Sequence, residues 1–335
     1  MKTSLERLYL LKIPEIQQLF IDSIQNVVDD AQIEEMIEAI ENNDIDALYE
    51  ASGFTPVYLN RFIDSIEDIY ETAGTMTVEN WPKRLRAVFN IRNEAVERDL
   101  KTYSSNFVSN ITDEVKDNLR QILAEGEARG YNPRKTALDI VGRVNSSTMK
   151  REGGILGLSS NQTKWVINAR RYLENLDKRY FDLTLRDKRF DSIVKKAIEN
   201  GKKLTNSDIE RLITAYEKKA LKWRADAIAR TEVMQSINRA EYASLAQNIE
   251  NGKIKKEAVT KWWSDTHDSR TRLSHVALGL KYNEDNQIPF DEPFVTNTGS
   301  KLMYPGDTSL GADLREIIHC RCKAEYNVDF LAEFS

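Results

Sequence analysis

Long stretches without proline constrain the fold of this chain more than any other feature. The 43 residues from Val88 to Gly130 contain no proline, and their apolar residues recur at the three- and four-residue spacing of one helix face. Pro82 suits the first turn of a helix, where its missing N–H costs nothing. The sequence therefore predicts a long central helix, a spine, that starts near Pro82 and ends near Gly130.

Helix-capping residues indicate where further helices begin. Asn132 precedes a proline, which is typical of a helix start, and this helix is expected to run through Val144. Ser159 is followed three residues later by Gln162, the pattern of a capping box. With only seven prolines and fourteen glycines in 335 residues, long helices are expected throughout.

The first 80 residues are strongly acidic and helical in pattern. They contain 4 Lys or Arg against 17 Asp or Glu. Apolar residues at helical spacing over residues 4–75 predict three or four short helices. We interpret residues 1–80 as an acidic N-terminal helical arm. It is either a small acidic bundle or a docking arm for a basic partner.

The middle of the chain has the opposite charge. Residues 81–260 contain 36 Lys or Arg against 24 Asp or Glu, and residues 164–230 contain 18 against 10, with aromatic residues among them. Basic and aromatic residues together can bind nucleic acid without sequence preference. The alternative is a solvated helix face, which the interspersed acidic residues favour. Residues 81–252 are therefore predicted to be a basic helical body that contains the spine helix.

After Gly252 the pattern changes from helical to mixed. The segment VTKWWSDT alternates and is rich in strand-forming residues, and RCKAEYNV near the end predicts a second strand. Turn residues are frequent between Tyr282 and Gly311. Residues 253–335 are predicted to be a small α+β domain. The fold class predicted for the whole chain is mainly α, with long helices and a small C-terminal α+β domain.

All the histidines and cysteines of the chain lie between residues 261 and 322. His275, Cys320 and Cys322, with His267 or His319 as a fourth ligand, have the chemistry of a structural zinc site. The C-x-C spacing is tighter than the usual zinc pattern. The alternative is that the cysteines are small buried residues and that His275 hydrogen-bonds within the fold. The sequence favours this alternative, so no metal or other cofactor is predicted.

The N-terminal segment and the cysteines of the chain indicate the cellular compartment in which the protein is made. No uncharged apolar run approaches the ~20 residues that span a bilayer, and the charged N-terminal segment lacks the pattern of a signal peptide. Two cysteines spaced C-x-C cannot build a disulfide framework. These features predict a protein that is made in a reducing compartment and does not bind a membrane.

Several motifs occur in a fixed order toward the C-terminus. These are AIARTEV with Arg230, Thr231 and Glu232; W-x-x-D-x-x-D-S-R-x-R-x-x-H with Asp268, Arg270, Arg272 and His275; Gly279; a PF pair; PGD with Pro305, Gly306 and Asp307; and C-R-C with Cys320, Arg321 and Cys322. In this combination the chain resembles the Mu F-like or SPP1 gp7-like minor head proteins of tailed phages, which are head morphogenesis proteins. The resemblance is specific over residues 227–325, looser over 80–226, and does not extend to the first 80 residues.

The resemblance implies a minor capsid protein of the virion. Such a protein is made in the host cytoplasm, is bound at or near the portal vertex inside the head, and acts in procapsid assembly and DNA packaging. The implied partners are the portal protein, scaffolding or major capsid protein, and double-stranded DNA without sequence specificity. It implies no catalytic activity and no catalytic residues.

The motif residues are therefore expected to have structural roles. Asp268, Arg270 and Arg272 are expected to form ion pairs across a turn, which stabilise most when they are partly buried. Gly279 is expected to adopt a positive φ where a helix or turn ends. In the PGD motif, proline and glycine are expected to supply the two central residues of a turn.

Two other functions are alternatives to head assembly. A metal-dependent nuclease could use Asp265, His267, Asp268 and His275, although no H-E-x-x-H or similar coordination pattern is present. An effector such as an ADP-ribosyltransferase would need a nicotinamide-binding signature or a further domain after residue 335, and neither is expected. The sequence favours the assembly protein over both.

Overall fold

A computed structural model describes residues 3–332 of the chain. These residues form α1 (Ser4–Asp30), α2 (Ile33–Glu41), α3 (Ile45–Ala51), α4 (Asn60–Val78), α5 (Glu94–Arg129), α6 (Pro133–Val141), α7 (Ser160–Glu174), α8 (Asp191–Glu199), α9 (Asn206–Glu250), α10 (Leu273–Lys281) and α11 (Leu314–Ile317). The strands are β1 (Arg143–Val144), β2 (Arg151–Glu152), β3 (Val259–Ser264), β4 (Ile288–Pro289), β5 (Phe294–Val295), β6 (Lys301–Leu302) and β7 (Lys323–Val328). The predicted fold class, mainly α with a small C-terminal α+β part, is confirmed.

The internal contacts of the chain group it into two compact units. The first unit contains the described residues up to Gln17, Phe62–Tyr103, and the described residues from Asp226 onward. The second contains Gln18–Arg61 and Ser104–Ala225. The division into three consecutive domains stays a prediction. None of the helices in residues 3–332 combines the length and apolar character of a bilayer span.

The predicted spine helix is present, but it begins later than expected. Helix α5 starts at Glu94, and the Asn93 side chain accepts hydrogen bonds from the first turn. The preceding residues are held in an extended path by α9. The Asn248 side chain bonds the backbone of Val88 at 3.3 and 3.0 Å, and Gln247 bonds that of Asn90 at 2.7 and 2.9 Å. These side-chain contacts satisfy backbone groups that a helix would otherwise use.

The capping residues predict helix starts better than helix ends. Ser159 and Gln162 form the predicted capping box at the start of α7. Asn132 caps α6 as predicted, but α6 ends at Val141 rather than Val144. The cause is the hairpin of β1 and β2, which starts directly after the helix.

The C-terminal part of the first unit is a small sheet covered by helices and loops. Strand β3 is central, in the order β4-β3-β7, and pairs antiparallel with both neighbours. Its burial alternates, so that Val259, Lys261 and Trp263 face the interior. Both predicted strands, VTKWWSDT and RCKAEYNV, are confirmed as the paired strands β3 and β7.

Aromatic side chains fill the core on this face of the sheet. Its buried members are Trp263, Leu278, Tyr282, Phe294, Tyr304, Cys320, Cys322 and Ala324. Trp263 packs edge-on against Phe294, with ring centroids 5.2 Å apart. Tyr242 of α9 stacks on Phe290 with centroids 4.5 Å apart and lies 5.3 Å from Tyr304. Helix α9 is thereby joined to the sheet through apolar contacts.

The second unit contains a buried carboxyl group beside Gly153 and Gly154, in the loop that follows β2. The side chain of Glu217 is 3% exposed and accepts a 2.8 Å hydrogen bond from the backbone N–H of Gly154. Burial raises its pKa to about 8, although the Gly154 hydrogen bond and the charge of Arg170 oppose the shift. The backbone amide of Gly154 is therefore bonded to a buried carboxyl group.

The raised pKa of Glu217 predicts a pH-dependent stability. The unfolded chain releases this proton near pH 4.5, whereas the folded chain keeps it until about pH 8. Between these values the folded state binds more protons, so stability falls as pH rises, by up to about 1.4 kcal/mol per pH unit. Glu217→Gln should remove this contribution. Urea unfolding at pH 5, 6.5 and 8 measures it, with the exposed Glu199→Gln as control. Equal pH slopes in Glu217→Gln and wild type would contradict it.

Candidate functional site

A histidine and two cysteines meet in the core of the C-terminal part. His275 lies on α10, whereas Cys320 and Cys322 lie in the segment that enters β7. The Nδ1 atom of His275 is 3.6 Å from Sγ of Cys320 and 3.4 Å from Sγ of Cys322. The three residues are 1%, 4% and 2% exposed. Among residues 3–332 they are the one group of His, Cys, Asp or Glu side chains close enough together to hold a metal ion.

The two thiols share their protons unequally. A hydrogen bond from Cys322 lowers the pKa of Cys320, and the neighbouring His275 lowers it further. The same hydrogen bond, together with burial, raises the pKa of Cys322. The cluster therefore supports one thiolate readily, while a second thiolate needs an additional positive charge.

A buried carboxylate, that of Glu316, lies close to the second ring nitrogen of His275. Oε2 of Glu316 lies 3.1 Å from Nε2 of His275, although the two atoms are not aligned as a hydrogen bond. Glu316 itself accepts hydrogen bonds from Ser274 at 2.7 Å and Thr298 at 3.1 Å. The Trp263 ring packs edge-on against the imidazole, with centroids 5.1 Å apart. These contacts limit how far the His275 ring can turn.

Neither of the other histidines joins the cluster. The side chain of His267 is 84% exposed, and its Nδ1 lies 2.9 Å from Oδ1 of the buried Asp265. The backbone N–H of His319 donates to Thr231 Oγ1 at 3.0 Å. Both residues adopt a positive φ in loops. A fourth ligand from His267 or His319, which the sequence suggested, is not found within the described residues.

The charged motif residues form an ion pair between distant segments. Asp268 accepts two hydrogen bonds from Arg321, both 2.7 Å long, and this arginine lowers the pKa of Asp268. Arg270 contacts Asp268 more loosely, at 3.4 Å, and is exposed. Arg272 instead donates to the backbone carbonyl of Ile318. The pairing therefore joins the loop before α10 to the C-R-C segment.

Gly279 has a different role from the expected one. It lies inside α10 and has no positive φ. A Cβ atom at this position would lie 2.5 Å from Oδ2 of Asp265. The glycine is needed because α10 approaches this buried carboxylate closely, and the expectation of a left-handed backbone was wrong.

The PGD motif forms the predicted turn and is held by α9. Gly306 has φ +88°, and the N–H of Asp307 donates to the carbonyl of Tyr304, which closes the turn at 3.1 Å. Gln235 donates to the Gly306 carbonyl at 2.7 Å. Asn238 donates to the carbonyls of both Pro305, in this turn, and Cys322, each at 3.1 Å.

The AIARTEV residues lie on α9 and make three separate contacts. Arg230 donates to Asp226 one turn earlier at 2.7 Å. Thr231 accepts the His319 hydrogen bond already described. Glu232 accepts a 2.6 Å hydrogen bond from Tyr103 of α5, and burial raises the pKa of its carboxyl. The motif residues are thus used in contacts within the first unit.

Sequence reasoning missed Lys261 and the amide side chains of α9. Lys261 is fully buried, its Nζ donates to the carbonyl of Met303 at 2.7 Å, and burial lowers its pKa to about 7. Its position on the same strand face as Val259 and Trp263 could have indicated its burial. No comparable signal existed for Asn238, because its partners are backbone atoms of remote loops.

The proposed nuclease residues are not gathered into one catalytic cluster. Asp265 and His275 are buried, His267 is exposed, and Asp268 is bonded to Arg321. Within residues 3–332, the cluster of potential metal ligands includes only His275 from this set.

Comparison with known proteins finds a family model that matches the C-terminal part of the chain. No curated protein and no solved structure matches the chain. Residues 188–325 match the model of the family described as phage Mu protein F like protein. This segment contains every motif named above. Over residues 188–325, the chain is similar to the Mu F-like phage head morphogenesis proteins.

Proposed function

We propose that this protein is a minor capsid protein, bound at or near the portal vertex inside the head, that acts in procapsid assembly. The observation that carries the proposal is the family match over residues 188–325. The family is one of structural head proteins, which suggests a component of the virion without catalytic activity. Portal protein and scaffolding or major capsid protein are the proposed partners.

The use of the motif side chains supports a structural role. Asp268 and Arg321 bond two segments that lie 53 residues apart in sequence, and Asn238 joins two further loops to α9. Asp307 is 1% exposed and accepts hydrogen bonds from the backbone of Met303 and Ser309, each 2.8 Å long. Side chains that make such bonds stabilise the fold of the C-terminal part, as a structural role requires.

Binding to portal rings tests the proposal directly. Purified protein and portal rings from the same phage should co-sediment, and mass spectrometry should detect the protein in purified heads at a fixed copy number. Absence from the heads and failure to bind the rings would overturn the proposal. A nuclease assay with and without divalent metal, comparing wild type with His275→Ala, separates the enzymatic alternative. Metal-dependent cleavage that is lost in the variant would favour the enzyme.

We further propose that packaged double-stranded DNA is contacted without sequence preference, through exposed lysines at and beside α8. These are Lys188, Lys195, Lys196, Lys202 and Lys203. Each lysine that neutralises a phosphate releases a condensed counterion. Binding should therefore weaken with salt, by about 0.9 in log–log slope per phosphate contact.

Replacing these five lysines by glutamine should weaken DNA binding and flatten its salt dependence. The matched control replaces five exposed lysines of the first unit, so that the net charge changes equally. The control set is Lys83, Lys101, Lys255, Lys281 and Lys301. Fluorescence anisotropy with duplexes of unrelated sequence, at several salt concentrations, provides the measurement. Equal losses in both sets, or binding insensitive to salt, would contradict the prediction.

A further inference from the structure

We propose that His275, Cys320 and Cys322 form a binding site for a single zinc ion, which joins α10 to the segment entering β7. Such an ion would stabilise the C-terminal part whether or not the protein acts in head assembly. The donor atoms of the three side chains lie close together, and the carboxylate of Glu316 lies beside His275.

The donor atoms are spaced as the ligands of a tetrahedral zinc ion are. Zinc binds thiolate sulfur at about 2.3 Å and imidazole nitrogen at about 2.0–2.1 Å. With tetrahedral angles these bond lengths place a nitrogen and a sulfur ligand about 3.5–3.6 Å apart. The Nδ1 atom of His275 lies 3.6 and 3.4 Å from the two sulfur atoms. An ion could therefore be accommodated with little movement of the ligands.

The carboxylate of Glu316 lies where a group that orients a metal-bound histidine is commonly found. Metal-ligating histidines commonly direct their second ring N–H to a carboxylate, which fixes the tautomer and the ring orientation. Here Nδ1 faces the two sulfur atoms, while Nε2 lies 3.1 Å from Glu316. Metal binding at Nδ1 would place the proton on Nε2. A small ring rotation would then align it with the carboxylate.

Both sulfur atoms lie within 3.6 Å of Nδ1 of His275, so an ion placed between them would contact all three donor atoms. A doubly charged ion between the sulfurs would replace both thiol protons and stabilise both thiolates. Among residues 3–332 no further His, Cys, Asp or Glu atom joins the group, so a water molecule would take the fourth position.

Metal analysis of the full chain, purified under reducing conditions, tests the proposal. We expect about one zinc ion per chain by mass spectrometry of the metal. Cys320→Ser and Cys322→Ser should each lose most of it. His267→Asn is the matched control, because it removes an exposed histidine outside the cluster, and asparagine tolerates the positive φ at that position. This control should retain the metal.

Cobalt substitution identifies the ligands even if a serine variant fails to fold. Cobalt(II) added to metal-free wild-type protein should produce a thiolate-to-metal charge-transfer band. Glu316→Gln should weaken zinc binding by about 10- to 100-fold in chelator competition, as expected for a residue that positions a ligand. A wild-type protein that binds no zinc and shows no cobalt–thiolate band would overturn the proposal. Metal that remains bound in both serine variants would do the same.

Discussion

Gly154→Ala should destabilise the protein by about 3 kcal/mol or more, through a collision of the new methyl group with the backbone. Gly154 has φ +82°. A Cβ atom there would lie 2.5 Å from both the Gly142 nitrogen and the Ile140 oxygen. Backbone atoms cannot move aside as the end of a flexible side chain can. The hydrogen bond from Gly154 to Glu217 would be strained as well.

A second glycine in the same unit provides the control. Gly201 has φ +60°, and a Cβ atom there meets nothing within 4 Å. Gly201→Ala therefore changes only the backbone preference, which costs about 1 kcal/mol. Urea denaturation of both variants, followed by circular dichroism, separates the cost of the steric clash at residue 154 from the cost of placing alanine at a positive φ. Equal destabilisation of the two variants would show that the loop around Gly154 relaxes without cost.

Trp263→Ala should lower the free energy of unfolding by about 3–5 kcal/mol, because it removes the largest side chain from the centre of the C-terminal core. Trp263 is 2% exposed and packs edge-on against both His275 and Phe294. Its loss would leave a cavity that the paired strands β3 and β7 cannot close. The His275 ring would also lose the neighbour that limits its rotation, so affinity for the proposed zinc ion should fall together with stability.

The adjacent tryptophan controls for the loss of an aromatic residue from the same strand. Trp262 lies on the opposite face of β3 and is only partly buried. Trp262→Ala should cost about 1 kcal/mol, as substitutions away from the core usually do. Thermal unfolding of the two variants provides the comparison. A similar decrease of the unfolding temperature in both variants would mean that the face of β3 that contains Trp263 does not form the main core of the C-terminal part.

Local sequence signals predicted the elements whose causes are local. The serine and glutamine of the α7 capping box lie three residues apart, so their geometry follows directly from their spacing. The alternating pattern of β3 indicated a half-buried strand, and β7 was indicated in the same way. The order of the C-terminal motifs indicated a resemblance to Mu F-like proteins, which the match over residues 188–325 confirms.

Signals that depend on remote partners were missed. The start of α5 was misplaced because Asn248 and Gln247 of α9 bind the backbone between Val88 and Asn90. The role of Gly279 was misjudged because the cause is the nearby carboxylate of Asp265. In each case a side chain from a distant segment overrides the local preference of the backbone.

By itself the sequence determined the helical character, both main strands and the resemblance to Mu F-like proteins, because period, capping and motif order are properties of neighbouring residues. Only the tertiary structure decided that Cys320 and Cys322 face His275, and that Arg321 pairs with Asp268. Proximity between residues 45 or more positions apart depends on how α10 packs against the β3–β7 sheet. That packing follows from contacts of Trp263 with residues of other segments, such as His275 and Phe294, whose proximity no local pattern specifies.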